Sequence, residues 1–159
     1  MIIREILPQD NLSIKAIITS CFKEYDLPIT GSSLEDIHTN HMYQGFQHSR
    51  DVYYVVEGEG KILGGGGIKQ LLGAGNHICE LQKMYFHPDA RGRGFGQKLL
   101  NLCIDSARNF NFKICYLESA SQLKSALKLY EKNGFEHIDS PQGKTGHSIC
   151  GIYMKKELI

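Results

Sequence analysis

The 159-residue sequence lacks a charge imbalance, with 18 lysines and arginines against 17 aspartates and glutamates. That near balance makes no electrostatic case for nucleic acid or an anionic membrane, and leaves small molecules or individual protein sites as the expected partners. It also lacks a CxxC pair. The five cysteines, Cys21, Cys79, Cys103, Cys115 and Cys150, are odd in number and scattered, which fits a reduced, intracellular chain. Most fall in apolar patterns, where cysteine behaves as a small core residue. No run approaches the length of a membrane span, and "MIIREILPQD" shows no charged start followed by an apolar signal core. The expectation is a cytoplasmic protein. Linker, repeat and low-complexity block are missing as well, so residues 1–159 read as one domain. What is present is an apolar content of 42%, enough for a packed core.

Periodicity supplies the elements. "MIIREIL" alternates as a strand. Asp10 is placed to cap a helix whose stripe is Ile14, Ile17, Ile18, Cys21, Phe22 and Tyr25. Ser32 or Ser33, followed by Glu35 or Asp36, resembles a capping box opening a second helix to about Gly45. "DVYYVVEGEGKILGGGGIKQL" reads as a hairpin turning at Gly58 to Gly60. A strand over "NHICELQKMYFHP" ends at Pro88, and a helix follows with Phe95, Leu99, Leu100, Cys103 and Ile104 on one face. "FKICYLE" is a strand. "SQLKSALKLYEKNG" is a helix ending at Asn133-Gly134, and "FEHID" and "HSICGIYMKKEL" are closing strands. The order β-α-α-β-β-β-α-β-α-β-β predicts a mixed α/β layer structure.

"ARGRGFGQKLL" sets Gly92, Gly94 and Gly96 at a helix start, although glycine in a helix interior costs about 1 kcal/mol relative to alanine. A helix N-terminus leaves backbone N–H groups unpaired and carries partial positive charge. Glycines let an anion approach those donors, and Arg91 and Arg93 add full charge. Strand, glycine-rich turn and helix therefore make a pyrophosphate cradle. Its spacing is GxGxG, neither the GxGxxG of dinucleotide folds nor a P-loop.

"LQKMYFHPDARGRGFGQKLL" resembles the acetyl-CoA-binding motif of the GNAT superfamily of N-acetyltransferases, with Arg91, Gly94 and Gly96 at the motif positions. Ala126, Tyr130, Gly134 and Phe135 match a second element of that family. The resemblance is strong from Cys79 to Phe135. It implies the GNAT fold, a mixed central sheet flanked by helices on both faces, and acyl transfer from acetyl-CoA to a small-molecule or peptide amine, without metal. Met84, Tyr85 and Phe86 would meet the pantetheine arm, the N–H near Met84 facing the thioester carbonyl. Arg91, Gly92, Arg93, Gly94, Phe95, Gly96 and Gln97 would hold the pyrophosphate. Glu80 maps to the position of a glutamate base in some members, and burial would raise its pKa toward neutrality. The competing reading of Glu80 is a strand carboxylate paired with a lysine or arginine. Tyr130 aligns with the tyrosine that protonates the thiolate, although it also lies on its helix's apolar stripe. Where many relatives place an asparagine contacting the cofactor arm this chain has Leu123, so Ser121 or Gln122 would have to substitute.

Other features carry less. His38 and His41 have no accompanying ligand set, so solvated or substrate-facing histidines are the better reading than metal. Gly64 to Gly67 suggest a bulge or close backbone approach rather than room for substrate. Asp26 and Glu35 lie where the superfamily builds its acceptor pocket. Cys79 and Cys115 have no evident base partner, which favours direct attack in a ternary complex over a covalent acyl-enzyme. A non-catalytic acyl-CoA sensor is the alternative from another class, and a homodimer is compatible with the fold.

Overall fold

The computed structural model describes residues 1–146 and 151–159, Ser33 by its backbone alone. In chain order the elements are β1 (Ile2–Glu5), α1 (Asn11–Glu24), β2 (Val52–Gly58), β3 (Lys61–Gln70), β4 (Ile78–Phe86), α2 (Phe95–Asn109), β5 (Ile114–Ser119), α3 (Lys124–Lys132), β6 (Glu136–Ile138) and β7 (Ile152–Glu157). The strands form one sheet in the order β1-β2-β3-β4-β5-β7-β6. β4 and β5 are parallel and every other neighbouring pair is antiparallel.

Strand alternation sorts side chains onto two faces. Tyr53 and Val55 point to a core made with Ile14, Ile18 and Phe22 of α1, together with Met42 and Phe46. Val52, Cys79, Leu81, Cys115, Leu117 and Met154 point to the other face, against Leu100, Cys103, Ile104 and Ala107 of α2 and Tyr130 of α3. Helices thus cover both faces, as the resemblance implied. The β2–β3 hairpin turns through Glu59 and Gly60, both left-handed, at φ 52° and 74°. Two consecutive positive φ values match the right-handed twist of the flanking strands.

The expected second helix is absent. Residues 33–46 instead make three short 3-10 turns, Ser33–Glu35, Ile37–Asn40 and Gln44–Phe46. The capping-box residues are used locally: the Ser32 hydroxyl donates to Ile29 O (2.5 Å), and the Glu35 carboxylate accepts from Gly31 N (2.7 Å). Such side-chain bonds offer the backbone an alternative to a helix. Met42 and Phe46 are drawn into the core under α1. Asp10 occupies the N-cap position of α1 but makes no side-chain cap there. Its carboxylate turns back to Leu7 N (2.7 Å) and the Arg4 guanidinium (2.8 and 3.1 Å). Helix α3 starts at Lys124 rather than Ser121, and the His147–Cys150 part of the last expected strand lies outside the described residues.

Two departures from regular pairing open the middle of the sheet. Gly65 pairs with Tyr85 and Gly67 with Gln82, so Gly66 alone opposes Lys83 and Met84. This is a β-bulge with Lys83 in the left-handed region at φ 52°. The buried Tyr53 hydroxyl pins it by donating to Lys83 O (2.8 Å). Secondly, β4 and β5 pair only over Ile78↔Ile114, Cys79↔Cys115 and Glu80↔Tyr116, and then part. The four glycines of β3 make way for side chains. A Cβ at Gly64 would strike Phe86, at Gly65 Tyr53, and at Gly67 Val52 O and Tyr53, whereas at Gly66 it would only crowd Met84.

Candidate active site

Where β4 and β5 part, a cleft of about 590 Å³ opens, within the ~300–1,000 Å³ usual for ligand sites. One wall is the free stretch of β4, Leu81 and Lys83 to Phe86, and the other the end of β5 and the start of α3. The mouth is the glycine loop, through Arg91, Gly92, Gly94, Phe95 and Gly96. Gly92 and Gly94 are left-handed at φ 70° and 83°, and a Cβ built on either meets no protein atom. Space beyond these two positions is open. The first bond into α2 runs from Lys98 N to Gly94 O (3.1 Å), and the amides of residues 92–97 take no backbone acceptor among the described residues. A row of unclaimed N–H groups at a helix start suits an anion.

Two side chains of the loop are committed elsewhere. The Arg91 guanidinium donates to Phe86 O (2.8 and 3.1 Å) and to the Glu24 carboxylate (2.6 and 2.9 Å), fastening the end of α1 to the end of β4. The Gln97 amide pairs reciprocally with Asn133 at the end of α3 (2.7 and 3.0 Å). Arg93 is exposed, with a long contact of its guanidinium to Asp89 O (3.4 Å). Neither Arg93 nor Gln97 lines the cleft. Phe95 is buried with Val56, Leu63 and Ala90, anchoring the loop to the core.

Tyr130 enters the same cleft from α3. It is only 6% exposed, packs edge-on against Phe135 (5.8 Å between centroids), and its hydroxyl has no hydrogen-bond partner among the described residues. Burial pushes the phenol well above its ordinary value, so it carries its proton throughout the neutral range. Leu123 lines the cleft as an apolar residue, and Gln122 is the neighbouring polar one.

A smaller, contiguous cavity lies on the α1 side of the parting strands and holds Glu80. It shares Leu81, Lys83, Tyr85, Glu118, Ser119 and Leu123 with the cleft. Glu80 is buried at 4% exposure, and its Oε1 accepts from Gln82 Nε2 (2.5 Å). Lys83, also buried, donates to Gln82 Oε1 (3.1 Å) and to Asp36 Oδ2 (2.9 Å). On β5 the Tyr116 hydroxyl donates to Glu118 (2.7 Å), whose other oxygen accepts from Thr145 (2.7 Å). Asp26 and Glu35, in the segment where the resemblance puts the acceptor pocket, line neither space.

The fold therefore gathers Met84, Tyr85, Phe86, Arg91, Gly92, Gly94, Phe95, Gly96 and Tyr130 around one cleft and sets Glu80 in the adjoining cavity. Sequence reasoning missed Gln82, Lys83 and Glu118. The alternation Glu80-x-Gln82 and Tyr116-x-Glu118 was a usable signal for shared strand faces. The bulge that brings Lys83 beside Gln82 had none beyond the facing glycines. Cys21, Cys79, Cys103 and Cys115 are buried and free. No helix of the described residues is long and apolar enough to cross a membrane, and among them no group of three or more His, Cys, Asp or Glu is placed to hold a metal ion.

Comparison with known proteins fits this geometry. The chain is 44% identical over 158 residues to the uncharacterized N-acetyltransferase YjgM of Escherichia coli (strain K12), covering 99% of this chain and 95% of that protein. An acetyltransferase of the GNAT family from Staphylococcus aureus Mu50 superposes with a TM-score of 0.85 at 21% identity, over 99% of both chains. The YncA protein of Salmonella typhimurium, solved with its cofactor acetyl-CoA, superposes with a TM-score of 0.75 at 22% identity, over all of this chain and 94% of that one. The model of the acetyltransferase (GNAT) family matches residues 13–135, and the chain belongs to that family.

Proposed function

We propose that the protein is an acetyl-CoA-dependent N-acetyltransferase that acylates a primary amine by direct attack in a ternary complex. The observation that carries this reading is the parting of β4 and β5 after Glu80↔Tyr116. It opens a single cleft lined by both the glycine loop and Tyr130, and joins it to the cavity of Glu80.

The residues present suit the coenzyme. Amides 92–97 face the diphosphate, and Gly92 and Gly94 leave the approach clear of side chains. Arg91 contributes by holding β4 and α1 together at the mouth, and Arg93 supplies charge from outside it. Along Met84 to Phe86 the edge of β4 facing the cleft offers backbone groups to an extended arm, apart from Phe86 O, which Arg91 holds, and the N–H near Met84 serves the acyl oxygen. Bound acetyl-CoA supplies an activated acyl group, whose transfer to the amine forms an amide and frees the CoA thiol.

An alkyl amine with a pKa of about 10.4 must shed a proton before it attacks. Glu80 takes that proton, directly or through water. Tyr130, held protonated by burial, gives one to the departing sulfur. The Cys21 thiol, which lines the cleft, and the buried Cys115 thiol are poor nucleophiles. Burial raises the Cys21 thiol, and contact with Cys79 followed by burial raises that of Cys115.

The test is calorimetry with CoA and acetyl-CoA beside a broad amine screen read by mass spectrometry. One-to-one binding with acetyl appearing on an amine nitrogen is expected. Tight binding with no turnover on any amine would establish the non-catalytic sensor instead, and no binding would overturn both.

A further inference from the structure

We propose that Asp36, Lys83 and Gln82 form a positioning chain that sets the orientation and charge of Glu80 and ties it to the wall of the acceptor-side cavity. This inference rests on the reading of Glu80 as the base. The bulge is its origin. In a regular strand, neighbours point to opposite faces. Lys83, at φ 52°, brings its side chain to the cavity that Gln82 also lines. There its ammonium donates to Gln82 Oε1 (3.1 Å) and Asp36 Oδ2 (2.9 Å). An ammonium can only donate, so it fixes which way the Gln82 amide points. The oxygen faces Lys83 and the Nε2 donates to Glu80 at 2.5 Å. A donor held on a carboxylate favours its ionised, proton-accepting form.

Asp36 belongs to the connection between α1 and β2, whose Leu27, Pro28 and Ser32 wall the same cavity. Seating that wall and aiming Glu80 are thus one hydrogen-bonded arrangement. Other groups surround Glu80. Lys69 is its register partner on β3, pushed downward by burial, with Asp51 beside it. Tyr116 and Glu118 face it from β5. His38, from the connection, is lowered by burial and by Lys69 and Lys83. Those side chains are the same in every variant; of them Lys69 and His38 also feel Asp36, whose charge raises both, and Gln82→Leu alters no charge.

The test is direct titration of the Glu80 carboxyl by carbon-13 NMR in the free protein, assigned with Glu80→Gln, in the parent, Gln82→Leu and Asp36→Asn. Gln82→Leu removes a donor to the ionised form, and the Glu80 midpoint should rise by about one pH unit. Asp36→Asn removes a negative charge and leaves the Lys83 ammonium to Gln82, so the midpoint should fall. Opposite displacements are the signature, since loosened packing would not split the two variants by sign. Midpoints that stay put or move together overturn the chain, and thermal melts verify folding. Should Gln82→Leu fail to fold, the direction in Asp36→Asn decides alone. In an amine assay Asp36→Asn should raise KM for the amine several-fold and leave KM for acetyl-CoA unchanged. The base reading fails separately, if Glu80→Gln keeps full kcat.

Discussion

At the scale of single residues, two side chains carry the proposed chemistry and their surroundings differ. Tyr130 has a nearly buried ring and a hydroxyl that no described residue claims, whereas Glu80 is held by a neighbouring amide. Tyr130→Phe should lower kcat by about 10²–10⁴-fold with little change in CoA affinity measured by calorimetry. Because burial raises the phenol, its protonated form persists as pH rises through the usual assay range. The basic limb of a rate profile below pH ~10 should therefore survive this substitution in shape. Glu80→Gln should likewise cost about 10²–10⁴-fold in kcat, and CoA titrations should be unaffected. Tyr130 could be singled out from the sequence through the resemblance, because the motif that carries it, Ala126, Tyr130, Gly134 and Phe135, is local. Gln82 and Lys83 were not, because their partnership depends on a bulge set by pairing with a distant strand.

At the scale of elements, the glycine loop and the α1 end meet at Arg91. Gly94→Val should abolish CoA binding in calorimetry, since a β-branched side chain would stand in the open space before the amides. It also destabilises the fold by roughly 1–2 kcal/mol, the cost of a left-handed conformation for an L-residue. Gly60→Val in the β2–β3 turn is the matched control: φ is 74° there and the space is equally open, so stability should drop similarly while CoA still binds. Arg91→Ala frees the α1 end from Phe86 O and Glu24, and a thermal melt should show a midpoint about 2–4 °C lower, corresponding to ~1 kcal/mol. Lysine should not restore it, because one ammonium cannot reproduce the forked contacts of a guanidinium. The helices α1, α2 and α3 and the β2–β3 hairpin could be read from periodicity and turn chemistry. The segment 33–46 could not, because local side-chain bonds at Ser32 and Glu35 and burial of Met42 and Phe46 override its helical pattern.

At the scale of the whole molecule, the sheet buries groups that dislike ionising. The thiols of Cys103 and Cys115 lie above their ordinary value near 9.0, the first through burial, the second through Cys79 and burial. The phenols of Tyr53, Tyr54, Tyr116 and Tyr130 lie above 10.0, each chiefly through burial. An unfolded chain releases these protons as pH climbs past about 9 and 10 while the folded chain keeps them. The unfolded state then binds fewer protons, so the contribution of these groups to stability is full below about pH 9 and declines above it. Urea midpoints measured across that interval should fall steadily, and a flat profile would contradict the burial described. The layer order was visible in the succession of strands and helices, but the parting of β4 and β5 that makes the cleft was not, since no local pattern encodes where two parallel neighbours stop pairing. The bare strand between Gly64 and Gly67 has a genetic corollary. In a saturation library selected for folded protein, codons 65 and 67 should stay monomorphic, because any branch there meets the Tyr53 ring and main-chain oxygens. Codon 66 should admit alanine, since only the pliable Met84 and Leu99 stand near, and a reading of survivors would map the aromatic inlay beneath that strand without a diffraction experiment.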